Sequence, residues 1–226
     1  RELKDVSFEL HKGEILGFGG LADCGMHILG GVAYGNIEPD LGKVYAGDGT
    51  VIHSPREAMN KGIAYISKNR DQESLMVASS IGDNICSASY SKLAKGLFLW
   101  KKDEVAFVDK WAGVLEIKMQ GPNQYVMELS GGNKQKVALA KWLGFGADIF
   151  ILDCPTRGID IGVKSNIYAL MQELKEQGKS IILISEELPE VIGMSDRTII
   201  LKDGRISGEF LREQDLTETM LIDYMV

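Results

Sequence analysis

The sequence predicts an α/β protein, and two observations lead to this class. Short apolar runs have the length of buried strands, and segments of helical periodicity separate them (strand runs 14–19, 62–66, 149–152 and 180–184). The first run leads directly into Gly20-Leu-Ala-Asp-Cys-Gly25, which keeps the glycine spacing of a phosphate-binding loop between a strand and a helix. The sequence therefore alternates strands and helices and carries a candidate anion site after its first buried strand.

Local signals support the other elements in the amino-terminal third. Residues 6–10 alternate like a half-buried strand, and residues 28–34 form a helix that Gly35 closes. Asp48-Gly49 is a hairpin-turn signal inside residues 42–49. Ser54-Pro55-Arg56-Glu57 combines a capping box with proline at the first helical position, so a short helix is expected to about residue 61.

The later elements follow in the same way. Residues 81–120 are helical in pattern, and their aromatic residues Phe98, Trp100, Phe107 and Trp111 are expected in a core. A helix begins at Ser130 and ends at Gly144, and another carries an apolar face from Val163 to Leu174. Residues 197–201 and 205–210 form a hairpin around Asp203-Gly204, and residues 211–226 are expected to be a terminal helix.

Composition excludes several classes of protein. Apolar residues make up 45% of the 226 residues, no apolar run reaches membrane-spanning length, and no signal-peptide pattern opens the chain. Any membrane role is therefore expected to come through a partner. The net charge of -7 argues against a nucleic-acid binder. Cys24, Cys86 and Cys154 are far apart in sequence, which suits a reducing compartment and predicts no zinc site.

The segment Leu129-Ser-Gly-Gly-Asn133-Lys-Gln-Lys136 is the second candidate anion site. Two glycines stand at the start of a helix, where unpaired backbone N–H groups and the helix dipole favour negative charge. Without a Cβ, Gly131 and Gly132 allow the backbone to approach a phosphate closely. Downstream, a buried strand ends in Asp153, and Pro155-Thr-Arg-Gly-Ile-Asp160 follows.

Phosphate loop, glycine segment and strand-end aspartate, in this order, resemble the nucleotide-binding domain of an ABC transporter ATPase. The phrases LSGGNKQKVALAKWL, LDCPTRGIDIG and SEELPEVIGMSDR are most similar to the ATPases of ribose, galactose and xylose importers. The resemblance implies a P-loop NTPase fold with a mostly parallel core sheet, an antiparallel β subdomain and a helical subdomain at about 80–128. It also implies a single domain, 1–226, that is the C-terminal one of two in a longer polypeptide. The abrupt opening at Arg1 favours the same interpretation.

The resemblance implies ATP and Mg²⁺ as cofactors, but the domain's own site departs from the family pattern. The candidate nucleotide-binding loop consists of Gly20, Leu21, Ala22, Asp23, Cys24, Gly25, Met26 and His27. Met26 and His27 replace the lysine that contacts the phosphates and the hydroxyl residue that holds Mg²⁺. Two interpretations stay open. The loop either binds nucleotide weakly through its backbone amides or binds no nucleotide, and the negative charge of Asp23 argues against strong binding.

The catalytic positions depart as well. By resemblance, Asp153 orders Mg²⁺ through water, but Cys154 occupies the place of the general-base glutamate. Glu186 stands where a histidine should hold the γ-phosphate, and Lys68 occupies the slot of the sensing glutamine in a loop expected to be solvated (67–72). Cys154 as a covalent nucleophile is an alternative to a core-edge thiol. Asp153 would raise its pKa and the sequence shows no histidine partner, so the core-edge thiol is favoured.

The resemblance gives the kept residues a role in trans. Ser130, Gly131, Gly132 and Asn133 form the signature that closes over ATP held by the opposite domain, and Asp160 bridges the two domains. The implied function is that of a degenerate, non-hydrolytic nucleotide-binding half of a sugar-importing ABC ATPase, which supplies the signature to the ATP site of an N-terminal domain. Further implied partners are membrane permease subunits and, indirectly, a periplasmic or lipoprotein sugar-binding protein, at the cytoplasmic side of a prokaryotic membrane.

Three other functions remain open at this stage. A nucleoside importer's ATPase has a similar C-terminal half, although the phrase GMSDR favours sugars. A scaffold that binds a partner and no nucleotide is a second alternative. A conventional ATPase is the third, and Met26 and Cys154 oppose it because neither supplies the charge or base that hydrolysis needs.

Overall fold

The computed structural model describes residues 3–96 and 98–226. Arg1, at which the predicted domain starts, Glu2, and Leu97, inside the predicted helical subdomain, lie outside the described residues. Within the described part, no helix is both long and apolar enough to cross a membrane. The chain divides into a first compact unit (1–68, 148–157 and 164–226) and a second one (69–147 and 158–163).

A six-stranded sheet forms the centre of the first unit, in the order β4-β5-β6-β1-β7-β8. All neighbouring strands are parallel except β7 and β8, which form the predicted hairpin. The strands are β1 (Ile15–Gly20), β4 (Ile63–Ile66), β5 (Ile149–Asp153), β6 (Ser180–Ile184), β7 (Arg197–Lys202) and β8 (Arg205–Leu211). The predicted hairpin at 42–49 is confirmed as the antiparallel pair β2 (Val44–Tyr45) and β3 (Val51–Ile52).

The parallel strands are buried almost completely, which explains their continuous apolar sequences. Every residue of β1 and of β6 is buried. Because the strands run in one direction, the loops that follow β1, β4, β5 and β6 leave the sheet at the same edge. This edge carries the candidate site of the first unit.

The helices follow the predicted capping signals closely. They are α1 (Met26–Ala33), α2 (Pro55–Asn60), α3 (Ile81–Cys86), α4 (Tyr90–Leu93), α5 (Lys101–Val114), α6 (Gly131–Phe145), α7 (Ile161–Glu176), α8 (Leu188–Met194) and α9 (Glu218–Ile222). The Ser54 side chain accepts the Glu57 N–H at the start of α2, as the capping box predicts. Ser130 caps α6, and Gly146, in the left-handed region with φ 74°, ends it.

Two predicted elements are wrong. Residues 6–10 form no strand, because their backbone joins no ladder; nearby, Lys4 N–H bonds to the Gly204 carbonyl oxygen at 2.7 Å. The terminal segment is not one helix. Asp215 takes a left-handed conformation, φ 48°, which separates a 3₁₀ turn (Arg212–Gln214) from the short α9.

The aromatic residues of the second unit divide into two groups. Phe98 and Trp100 are 68% and 54% exposed, so their predicted place in a core is wrong. They lie in the connection between α4 and α5, where their rings contact each other with centroids 6.4 Å apart. Phe107 and Trp111 are half-buried on α5 and meet edge to face, with ring centroids 6.3 Å apart.

The contact of this aromatic pair with α6 gives a stability prediction. A Cβ on Gly144 would lie 2.5 Å from Phe107 Cζ and 3.1 Å from Trp111 Cδ1, so Gly144→Ala should lower the free energy of unfolding by about 1–3 kcal/mol. Gly113→Ala on α5 is the matched control. Its Cβ would meet nothing within 4 Å, and the change should stabilise by roughly 0.5–1 kcal/mol. Urea unfolding of both variants measures these changes. Equal effects of the two substitutions would contradict the close packing of Gly144 against the aromatic pair.

Lys141 gives a pH prediction. Burial lowers the pKa of its ammonium group from 10.5 to about 8, although Nζ donates to the Ser74 carbonyl oxygen at 2.7 Å. Between these two values the unfolded chain holds a proton that the folded chain has lost, so this group makes stability rise with pH. Below about pH 8 Lys141 is charged in both the folded and the unfolded chain, and burying this charge lowers the stability of the folded chain by its full amount.

The comparison with Lys141→Met isolates this group. Buried thiols and phenols whose pKa is raised, such as Cys86, reduce stability above about pH 9, but the variant shares them. From pH 8 to 9.5, the wild type should gain about 1.5 kcal/mol of unfolding free energy relative to the variant. Urea unfolding at both pH values measures this difference, and a constant difference would contradict the burial of a titrating Lys141.

Candidate functional site

A group of five polar side chains lies at the carboxyl edge of the sheet, in the first unit. They are His27 on α1, Asp153 and Cys154 at the end of β5, Glu186 after β6 and Lys68 after β4. His27 Nδ1 is 2.7 Å from Asp153 Oδ1, and His27 Nε2 is 3.0 Å from Glu186 Oε1. Lys68 Nζ lies 3.7 Å from the same Glu186 oxygen. The imidazole therefore bridges two carboxylates.

His27 reaches this position because of the turn that precedes α1. Gly25 takes φ 102°, which a residue with a side chain rarely adopts, and the helix begins immediately afterwards at Met26. Met26 points into the core and is 0% exposed. The next residue, His27, is thereby directed from the first helical turn toward the ends of β5 and β6.

Cys154 is a neutral thiol at pH 7. Burial raises its pKa to about 12, with a further contribution from the Asp153 carboxylate. Its backbone is in the left-handed region, φ 48°, and its N–H donates to the Ile184 carbonyl oxygen at 2.8 Å. A thiol in this state supplies neither a general base nor an activated nucleophile. The fold brings His27, which is distant in the sequence, close to this cysteine, so the expectation of no histidine partner is wrong.

The residues present do not fit Mg²⁺ and the phosphates of ATP. Met26 is fully buried and offers no donor, while the carboxylate of Asp153, 2% exposed, already pairs with His27. Asp153 and Glu186 both direct negative charge toward this region, where phosphates would add more. The loop itself is partly closed, because Cys24 N–H donates to the Leu21 carbonyl oxygen at 2.8 Å. Leu21, Ala22 and Asp23 form its exposed outer face.

Gly20 is required by packing at this loop. A Cβ there would lie 2.5 Å from Cys24 Sγ and 2.7 Å from the Leu201 carbonyl oxygen. In the predicted solvated loop 67–72, Asn69, Asp71 and Gln72 are exposed, as expected. Ser67 is buried, and Arg70–Ser74 form a π-helical turn.

The signature segment lies in the second unit, at the start of α6. Ser130 is exposed, and its Oγ accepts from the backbone N–H and the side-chain amide of Asn133 at 3.4 and 3.1 Å. Since Oγ accepts both bonds that the structure describes for it, its hydroxyl hydrogen can be donated outward. Gly131 and Gly132 provide backbone N–H groups of the first helical turn.

Other predicted site residues have local roles in the same unit. Asn133 Oδ1 accepts the Lys118 N–H at 2.9 Å, so this side chain is held against its own unit. Asp160 is exposed, and its Oδ1 accepts the Val163 N–H at 3.0 Å in the first turn of α7. A Cβ on Gly132 would lie 3.0 Å from Val163 Cγ2. Close packing against Val163 therefore favours glycine at position 132 whether or not a ligand binds there.

Solved structures share this fold. A dimeric ATP-binding cassette in a post-hydrolysis state bound to ADP and Pi superposes with a TM-score of 0.79, at 20% identity over 93% of this chain and 90% of that one. A nucleotide-free ATP-binding cassette from an ABC transporter gives 0.78, at 21% identity over 98% of this chain and 91% of that one. The predicted P-loop NTPase fold of ABC type is confirmed.

Sequence relatives agree with the fold. The ribose import ATP-binding protein RbsA of Bacillus subtilis (strain 168) is 42% identical over 96% of this chain and 44% of its own length. RbsA of Clostridium tetani (strain Massachusetts / E88) is 39% identical over 100% and 45%. The chain thus spans less than half the length of these relatives. The sequence profile of the ABC transporter family matches residues 3–157, and the chain belongs to that family.

Proposed function

We propose that this chain is the C-terminal, non-hydrolytic half of a sugar-importing ABC ATPase, and that it completes the ATP site of an N-terminal domain in the same polypeptide. One observation carries the proposal. The residues that would serve the chain's own ATP are replaced, whereas the signature segment that would serve a partner's ATP is intact. Decay without selection would have altered both groups.

The replaced residues make hydrolysis at the chain's own site very slow. Losing a general base costs roughly 10²–10⁴ in rate, and losing one charge-stabilising donor costs about 10²–10³. Such effects do not simply multiply, but either alone is large. Cys154 lacks the base function, and Met26 lacks the charge of the missing lysine.

The kept residues supply hydrogen-bond donors. The Ser130 hydroxyl and the backbone N–H groups of Gly131 and Gly132 would face the terminal phosphate of ATP bound by the partner domain, and the dipole of α6 favours that negative charge. The exposed carboxylate of Asp160 would bridge to the partner. This chain orients and stabilises charge, and the partner supplies the base and the metal ligands.

Support for sugar import comes from the printed names of the relatives, which are ribose import proteins. An importer's ATPase acts with membrane permease subunits and, through them, with a sugar-binding protein outside the membrane. We therefore place the chain at the cytoplasmic face of the membrane, attached through the permease.

Adding this chain to the matching N-terminal domain tests the proposal. ATP turnover by that domain should rise when the chain is added, because its site then receives the signature. Analytical ultracentrifugation first establishes that the two associate. An associated mixture whose turnover equals that of the N-terminal domain alone would contradict the proposal and favour a scaffold.

A further inference from the structure

We infer that His27, Asp153 and Cys154 form a Zn²⁺ site in the place where related domains hold magnesium and phosphate. Their candidate donor atoms, one ring nitrogen of His27, a carboxylate oxygen of Asp153 and Cys154 Sγ, all lie within 4.8 Å of one another. This site belongs to the chain itself and does not depend on the proposed completion of a partner's ATP site.

The chemistry of the donors selects the metal. Nitrogen, sulfur and oxygen together match the ligands of zinc, whereas magnesium takes oxygen ligands alone and retains water. Donors bound to one tetrahedral zinc ion lie about 3.5 Å apart, with metal distances of about 2.0–2.3 Å. A zinc ion would thus replace the 2.7 Å contact between His27 and Asp153 with two metal bonds after a small separation of the donors.

Glu186 provides an independent observation, because it lies on the other side of the imidazole. With Nδ1 on the metal, the opposite Nε2–H would donate to Glu186 Oε1, which is already 3.0 Å away. A carboxylate behind a metal-bound histidine fixes the tautomer and the orientation of the ring. Lys68, 3.7 Å from the same oxygen, holds that carboxylate in turn.

The departures from the family pattern therefore meet at one point. His27, Cys154 and Glu186 each replace a residue of the nucleotide site, and they surround the one retained ligand, Asp153. On binding, the Cys154 thiol releases its proton to solvent and the thiolate takes the metal; no electron is transferred. Three protein ligands leave one coordination position for water, reached past the partly exposed Glu186.

Cobalt substitution in the metal-stripped 226-residue chain tests the site, since a cobalt–thiolate bond gives a near-ultraviolet charge-transfer band. We expect one equivalent of Co²⁺ to produce the band in wild type and in Cys86→Ser, which removes a buried cysteine outside the site. The band should be absent in Cys154→Ser. Added Zn²⁺ should abolish it, and a large excess of Mg²⁺ should leave it unchanged.

Glu186→Gln is a milder variant that keeps all three ligands. Zinc affinity, measured by competition with a chelating dye, should fall about 10–100-fold in this variant, because the group that orients His27 loses its charge. Near-ultraviolet circular dichroism in chelator verifies that each variant is folded. A band that persists in Cys154→Ser, or wild-type zinc affinity no higher than that of folded Cys154→Ser, would overturn the inference and leave His27 as an internal bridge between two carboxylates.

Discussion

Replacing Gly131 with tryptophan is expected to abolish the stimulation that this chain gives to its N-terminal partner. Gly131 is the first residue of α6 and is half-buried, and a Cβ there would lie 3.1 Å from the Gly158 carbonyl oxygen. An indole at this position would block the approach of a phosphate to the helix amides. Ser130→Ala removes a single donor and should lower the stimulated turnover by about 10²–10³. Steady-state ATP turnover of the mixture measures both variants.

The control for Ser130→Ala separates catalysis from helix capping. Ser130 accepts the Asn133 N–H at the start of α6, so its loss also costs about 1 kcal/mol of stability. Ser80 caps α3 in the same unit through the Asp83 N–H. Ser80→Ala should lose a similar stability but retain the stimulation. If both variants lose stimulation equally, capping and not donation explains the effect.

The isolated chain is expected to hydrolyse ATP at least about 10²-fold more slowly than an ordinary ABC ATPase, because its own site lacks a base. Cys154→Glu should not restore turnover. Met26 and Glu186 still lack the charge and the phosphate contact, and the new carboxylate would join Asp153 around His27. Phosphate release over time measures both proteins, with an ATPase-competent N-terminal domain as the positive control. Turnover like that of an ordinary ABC ATPase, by the isolated chain or by Cys154→Glu, would contradict the proposal that the chain's own site is non-hydrolytic.

Local signals in the sequence predicted much of the fold. Ser54 and Ser130 mark the starts of α2 and α6, where each hydroxyl accepts the backbone N–H of the residue three positions later. Asp203-Gly204 predicts the turn between β7 and β8. The predicted terminal helix over 211–226 is too long, because the apolar periodicity does not indicate the left-handed conformation of Asp215. Such breaks depend on the packing of neighbouring segments, which a linear pattern does not contain.

The candidate site was predicted residue by residue but not as an arrangement. His27 and Asp153 are 126 positions apart, so no spacing rule relates them. The expectation of no zinc site rested on cysteine spacing alone, which says nothing about a group with one cysteine. One signal could have predicted that these side chains lie together: Lys68, Cys154 and Glu186 each follow a buried strand closely, and parallel strands bring such residues to one edge.

Of the two ATP sites in the assembled pair, we expect only the one completed by this chain to hydrolyse ATP. The most direct test compares two matched variants of the pair, Gly131→Trp in this chain and the same change in the signature of the N-terminal domain. Turnover should be lost in the first variant and retained in the second, because the second signature faces only the non-hydrolytic site. Equal losses, or loss in the second variant alone, would show that the site of this chain also hydrolyses ATP.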